Sequence, residues 1–141
     1  MKKRVAALTA VLVFSVVTFA MAFASGTYKG KTSQGRSITL KATQTKITDT
    51  KVTTKFKCTD GDRFTTEVDL GSQSIKSDGR YGSAFVGNGG ATRFTNKGRI
   101  VRRTATGTFT AVARYDAQNN LAPNGSIKCT SGTVRYSIKH V

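Results

Sequence analysis

The chain has no tryptophan, one proline, one histidine and two cysteines. It has only seven acidic residues, compared with 23 lysines and arginines. A Ser–His–Asp triad would depend on His140, the penultimate residue. Carboxylates that could form a catalytic pair are Asp60, Asp62, Glu67 and Asp69, and their lysine-rich setting predicts surface ion pairs instead. We therefore expect a protein that is not an enzyme and that uses no metal or cofactor. An activity that depends on Asp62, Glu67 or His140 is the alternative.

One long hydrophobic run is present, at the N-terminus. Residues 5–19 are almost wholly apolar, follow Lys2-Lys3-Arg4 and precede the small-x-small triplet Ala22-Phe23-Ala24. This order predicts a secretory signal peptide over residues 1–24 and a single secreted domain over residues 25–141. An uncleaved anchor is the alternative, because residues 5–24 are about long enough to cross a bilayer. We expect an extracytoplasmic protein that has no integral membrane segment after processing.

The charge and the cysteines fit that location. Cleavage would leave 20 of the 23 basic residues and all 7 acidic ones, a formal net charge of about +13. A charge of this size predicts attraction to polyanions. Cys58 and Cys129 predict one disulfide in an oxidising compartment. It would close a loop of about seventy residues and stabilise the domain by about 4 kcal/mol.

Apolar and polar residues alternate with a period of two through most of the remaining chain, as in Ser37–Ala42. The alternation predicts strands at 26–33, 36–43, 46–58, 63–70, 74–86, 91–101, 103–115 and 132–140, with 125–129 as an extension or a short ninth strand. Glycine and asparagine predict tight turns at Asp78-Gly79, Gly87-Asn88-Gly89-Gly90 and Asn96-Lys97-Gly98. Short connections favour an all-β antiparallel meander closed into a barrel; a two-sheet β-sandwich is the alternative.

The inward positions of these strands form the predicted core. They are Tyr28, Ile38, Leu40, Val52, Phe56, Phe64, Val68, Leu70, Tyr81, Phe85, Phe94, Phe109, Ala111, Ala113, Val134, Tyr136 and Ile138. As an alternative function, the barrel could carry a small apolar ligand. Tyr28, Phe56, Phe109 and Tyr136 would then line its interior.

The two ends of the predicted domain resemble a family of small secreted bacterial all-β proteins. The opening Gly26-Thr27-Tyr28-Lys29-Gly30-Lys31-Thr32-Ser33-Gln34-Gly35-Arg36 is similar to its G-x-Y-x-G-x-T-S-Q-x-R pattern. The stretch Cys129-Thr130-Ser131-Gly132-Thr133-Val134-Arg135-Tyr136 is similar to its C-x-S-G-x-V-x-aromatic close, with Tyr136 where tryptophan is common. The resemblance implies an extracytoplasmic β domain and no particular activity.

Basic residues supply the strongest indication of function. Lys51, Lys55 and Lys57 alternate along one predicted strand, and arginines cluster near the junction of two others. These residues predict electrostatic association with an anionic extracellular polymer or with the cell envelope. We expect no specific nucleic-acid partner, because the aromatic residues are assigned to the core and leave no stacking platform. The predicted contact residues are Lys51, Lys55, Lys57, Arg99, Arg102 and Arg103.

Overall fold

The structure is a computed structural model that describes residues 22–141; residues 1–21 of the predicted signal peptide lie outside the described residues. The strands are β1 (Gly26–Lys31), β2 (Ser37–Ala42), β3 (Lys46–Cys58), β4 (Arg63–Asp69), β5 (Gln73–Ser74), β6 (Arg80–Gly87), β7 (Thr92–Val101), β8 (Thr104–Tyr115), β9 (Ile127–Thr130) and β10 (Val134–His140). A 3-10 turn, Asn88–Gly90, joins β6 to β7. Over residues 22–141, no helix is long and apolar enough to span a membrane.

Strand alternation predicted these elements closely, with two corrections. The predicted strand at 74–86 is divided into β5 and β6 by a turn that ends at Gly79, whose φ is +85°. A side chain at Gly79 would collide with the carbonyl of Ile100, so glycine is required there. The predicted turn at Asn96-Lys97-Gly98 is wrong, because all three residues lie inside β7. The short ninth strand is present as β9.

The fold is an antiparallel β-barrel with additional strands. Six strands form a closed ring in the order β1-β2-β3-β9-β8-β10, while β4 and β5 pair with β3, and β7 and β6 extend the sheet from β8. The all-β barrel prediction is thus confirmed. The chain departs from a simple meander where β10 inserts between β1 and β8.

Cys58 and Cys129 form the predicted disulfide. The two residues are direct partners in the β3–β9 ladder, so the covalent link and the strand pairing close the barrel at the same point. This bridge ties together segments separated by 71 residues of sequence.

Gln34, in the turn between β1 and β2, closes a gap in the barrel wall. Strands β2 and β9 pair with the same edge of β3, but their pairings stop short of one another around Lys55. The Gln34 side chain accepts a hydrogen bond from the Lys55 N–H (2.8 Å) and donates to the Lys55 carbonyl (3.0 Å). It also donates to the Ser131 carbonyl (3.2 Å). A side-chain amide therefore takes the place of a strand at this position.

The barrel interior contains most of the predicted core, including Tyr28, Leu40, Phe109 and Val134, which are at most 1% exposed. The prediction that Phe85 belongs to the core is wrong, since its side chain is 56% exposed. It lies near the tip of the β6–β7 hairpin, on the strand that ends the sheet, where its ring stacks on the partly buried Phe94. The interior also holds buried polar residues that are not among the predicted core residues: Thr50, Thr54, Gln73 and Asn96.

Candidate functional site

The lysines predicted to bind polyanions lie on the outward face of β3. Lys51, Lys55 and Lys57 are all exposed. Lys51 is the cross-strand partner of Asp69 on β4, and Glu67 lies opposite Thr53, two pairs further along the same ladder. This face therefore carries charges of both signs, which weakens its attraction for a polyanion.

The predicted arginines lie elsewhere on the barrel. Arg99 is on β7, where its Nε donates to the Asp78 carbonyl (3.0 Å), while Arg102 and Arg103 form the turn between β7 and β8. At the level of Lys51, four strands (β2, β1, β10 and β8) separate β3 from β7. The structure therefore divides the six predicted residues between two surfaces.

A more uniform basic surface covers the outward side of β6, β7, β8 and β10, which we call the basic sheet face. The register places Lys97, Thr108 and Arg135 in one row across three strands. Among the residues of these four strands there is no aspartate or glutamate. The outward cations of the basic sheet face are Arg80, Arg93, Lys97, Arg99, Arg114, Arg135 and Lys139. Of these, Arg80 forms an ion pair with Asp78 (3.5 Å), in the turn before β6.

Two neighbouring depressions follow this surface. One has a volume of about 580 Å³ and is lined in part by Thr95, Lys97, Thr108 and Arg135. The second, of about 670 Å³, is lined by Arg99 together with Thr108 and Arg135, which therefore border both. Both are open to solvent, so the arrangement suits an extended ligand with repeated anionic groups better than an enclosed small molecule.

Local sequence explains why the cations share one side. In β7, Arg93, Thr95, Lys97 and Arg99 occupy alternate positions and point outward, because successive side chains of a strand face opposite sides. The intervening residues pack inward, and β-branched threonine suits such half-buried strands. The alternation within β7 is a local pattern, although the asparagine and glycine beside Lys97 led to the wrong prediction of a turn there. The assembly of Lys97 beside Arg135 was missed, because it depends on the pairing of β8 with both β7 and β10.

Beneath the basic sheet face lies a row formed by Tyr81, Gly98, Gly107 and Tyr136 on four adjacent strands. The two phenol rings extend over the two glycines toward each other. A side chain at Gly98 would collide with the ring of Tyr81, and one at Gly107 with the ring of Tyr136. The glycines therefore make room for the tyrosine pair.

A directed chain of hydrogen bonds starts at this pair. The hydroxyl oxygens of Tyr81 and Tyr136 are 2.6 Å apart, and the Tyr136 hydroxyl donates to Asn96 Oδ1 (3.1 Å). Because Tyr136 gives its proton to Asn96, Tyr81 is the donor to Tyr136. The Asn96 Nδ2 then donates to Gln73 Oε1 (3.3 Å). The four side chains thus connect β6, β10, β7 and β5 across the interior.

Burial changes the acidity of this pair. It raises the pKa of Tyr136 to about 12, and the hydrogen bond that Tyr136 accepts from Tyr81 opposes the rise. Burial raises the pKa of Tyr81 further still, and its interaction with Tyr136 acts in the same direction. Both phenols are therefore neutral at physiological pH. They act as hydrogen-bonding supports rather than as charged or nucleophilic groups.

His140, the candidate catalytic histidine, is held in place near the chain end. Its Nδ1 accepts from the Arg103 guanidinium (2.8 Å), and its Nε2 donates to the Ser25 carbonyl (2.8 Å). Of the candidate carboxylates, Asp60 and Asp62 lie in the β3–β4 turn, where the Asp62 N–H donates to Asp60 Oδ1. Within residues 22–141, no group of three or more His, Cys, Asp or Glu residues could hold a metal ion.

The residues predicted to line a ligand cavity are themselves packed in the core. Tyr28, Phe56, Phe109 and Tyr136 are at most 4% exposed and belong to one hydrophobic cluster. The hydroxyl of Tyr28 donates a hydrogen bond to the Ala24 carbonyl (2.5 Å), and the hydroxyl of Tyr136 donates one to Asn96 Oδ1. Their contacts favour a structural role. A separate depression of about 250 Å³ lies at the disulfide. Its lining is mixed, with Phe64, Tyr115 and Ile127 beside the polar residues Asp60, Asp62 and Asn119.

Comparisons of the chain with protein-family models, with curated proteins and with solved structures found no match. The resemblance of its two ends to small secreted bacterial proteins therefore stays a prediction.

Proposed function

We propose that this protein is an extracytoplasmic, non-enzymatic binding module that associates electrostatically with anionic polymers of the cell surface or its surroundings. The observation that carries the proposal is the basic sheet face, a surface of arginine, lysine and threonine without an acidic residue in its four strands. It retains Arg99 from the predicted contact residues. Lys97 and Arg135, at the centre of the face, join the proposed contact residues. The lysines of β3 have a secondary role.

The chemistry of the basic sheet face favours acidic polymers that are recognised by charge. Arginine forms paired hydrogen bonds with carboxylate, sulfate or phosphate groups, and lysine acts as a point charge. Hydroxyls of Thr95, Thr106, Thr108 and Thr110 can bond to the neutral oxygens between such groups. The outward positions of β7, β8 and β10 hold no aromatic ring, so stacking on nucleobases has no platform there.

A rigid support under these side chains favours binding, because fewer degrees of freedom are lost on association. The tyrosine pair and its hydrogen-bond chain join the strands beneath Lys97 and Arg135. The cations therefore project from a sheet that is fixed on its inner side. The excess of positive charge over the whole domain adds long-range attraction that speeds encounter with the polymer.

The proposal is tested with the disulfide-bonded protein on immobilised heparin and on an anionic cell-wall polymer, across a series of salt concentrations. Release of counterions predicts that the logarithm of the binding constant falls linearly with the logarithm of salt. An uncharged polysaccharide of similar size is the control and should not bind. Affinity that is absent, or that does not change with salt, would contradict the proposal.

A further inference from the structure

The first described residues belong to the folded domain, although residues 1–24 fit a signal peptide. Phe23 is 7% exposed and is part of the hydrophobic cluster. Its backbone forms a bridge with Arg102, and the N–H of Ala24 donates to the Arg102 carbonyl (2.8 Å). The side chain of Gln44 donates to the Phe23 carbonyl (2.8 Å) and to Ser25 Oγ (2.7 Å). Two separate segments, the turn at Arg102 and the turn at Gln44, therefore hold this dipeptide.

Ala24 also provides the acceptor for a buried hydroxyl. The Tyr28 side chain is fully buried, and its OH donates to the Ala24 carbonyl. Cleavage after Ala24 would remove that carbonyl together with the Phe23 ring. A buried donor without a partner and an empty place in the core both destabilise a fold.

The sequence offers a second cleavage triplet two residues earlier. Ala20-Met21-Ala22 has small residues at the same two positions as Ala22-Phe23-Ala24, so both satisfy the signal-peptidase rule. Ala22 is exposed and is absent from the hydrophobic cluster. Of the two cuts, the one after Ala22 leaves Phe23 and Ala24 in the mature protein.

We propose that the export signal is cleaved between Ala22 and Phe23, so that the mature protein begins with Phe23 and uses that ring as part of its core. The inference rests on the predicted export signal, and it does not depend on polyanion binding. A failure of either proposal therefore leaves the other unaffected.

The direct test expresses the full chain in a bacterial host, recovers the exported protein and determines its N-terminal residue by intact mass and terminal sequencing. We expect Phe23. A start at Ser25, or an uncut chain that begins at Met1, would overturn the proposal.

Two variants separate the competing sites. Ala20→Leu alters the triplet before the proposed cut and leaves the later triplet intact, so it should abolish the Phe23 start. Ala24→Leu alters the later triplet only, and the Phe23 start should persist. The opposite pattern would assign cleavage to the bond after Ala24.

A stability measurement tests the structural part independently of export. Two oxidised forms of the domain, one that begins at Phe23 and one that begins at Ser25, are purified and melted under the same conditions. The longer form should unfold at a temperature several degrees higher. Equal melting temperatures would show that Phe23 and Ala24 do not contribute to the core, which contradicts the inference.

Discussion

The hydroxyl oxygens of Tyr81 and Tyr136 lie 2.6 Å apart inside the barrel, above two glycines on the strands between them. This contact joins β6 to β10 across β7 and β8, so one hydrogen bond spans the four strands that form the basic sheet face. Tyr136 has the central position, because it accepts from Tyr81 and donates to Asn96. The stability of the domain should therefore depend unequally on the two tyrosines.

Tyr136→Phe should lower the free energy of unfolding by about 2–4 kcal/mol, because it leaves the Tyr81 donor and the Asn96 acceptor both without partners. Tyr81→Phe should lower it by about 1 kcal/mol, since Tyr136 can still donate to Asn96. Urea denaturation of both variants and of the double variant provides the measurement. The double variant should be no less stable than Tyr136→Phe, because it also removes the Tyr81 hydroxyl that the single variant leaves without a partner. Equal effects of the single variants would contradict the directed chain.

Gly107→Ala should destabilise the domain by about 1–3 kcal/mol, because the added methyl group would overlap the Tyr136 ring. Gly82→Ala is the matched control. Gly82 also lies inside a strand, but it is exposed. A Cβ added there would lie 3.3 Å from its nearest neighbour, the carbonyl oxygen of Asn96. Thermal denaturation of both variants should show the larger loss for Gly107→Ala. The reverse order would mean that the phenol rings do not occupy the space over the glycines.

Stability should fall in alkali, between pH 10 and pH 12. The pKa of Tyr136 is about 12 in the folded protein and that of an unfolded tyrosine is about 10, so the unfolded chain releases its proton first. The raised pKa of Tyr136 therefore contributes fully to the free energy of unfolding below pH 10, and this contribution is lost as the pH rises toward 12. Its size is about 3 kcal/mol for Tyr136.

Phenolate absorbance and circular dichroism, recorded over the same pH range, test this prediction together. The buried tyrosines should ionise only as the structure is lost. A variant that carries both Tyr81→Phe and Tyr136→Phe should show a smaller decrease in stability over this range. Ionisation of all tyrosines near pH 10 with the fold intact would contradict the burial of the pair.

Gln34→Ala should destabilise the barrel by about 1 kcal/mol, because the N–H and carbonyl of Lys55 lose their protein partner and are left to bond with water. Gln34→Glu keeps an acceptor for the Lys55 N–H but directs a carboxylate oxygen at two carbonyls, so it should be destabilising as well. Hydrogen exchange of the Lys55 amide is the local measurement. Exchange should be faster in Gln34→Ala, and an unchanged rate would show that the side chain does not close the gap.

The strands could be predicted from the sequence because alternation is a local property. Ser37–Ala42 and Lys46–Cys58 expose one side and bury the other, and their patterns carry that information without any partner. The Asn96-Lys97-Gly98 segment was misread for a physical reason. Asparagine and glycine commonly form turns. Here Gly98 instead leaves space for the Tyr81 ring, and Asn96 accepts a hydrogen bond from the Tyr136 hydroxyl.

The arrangement of the site depends on long-range pairing, which alternation does not specify. Arg135 faces outward on β10. Its position beside Thr108 and Lys97 follows from the insertion of β10 next to β8. Lys51 and Arg99 lie on different surfaces for the same reason, because pairings between strands distant in sequence decide which strands become neighbours around the barrel.

The most direct test of the proposed function compares two pairs of charge reversals that change the net charge equally. Lys97→Glu with Arg135→Glu alters the basic sheet face, and Lys51→Glu with Lys55→Glu alters the face of β3. Heparin affinity at a fixed moderate salt concentration is measured for both, after thermal denaturation has shown that both are folded. We predict a loss of at least about tenfold for the first pair and of less than about threefold for the second. Equal losses, or a larger loss for the β3 pair, would contradict binding through the basic sheet face.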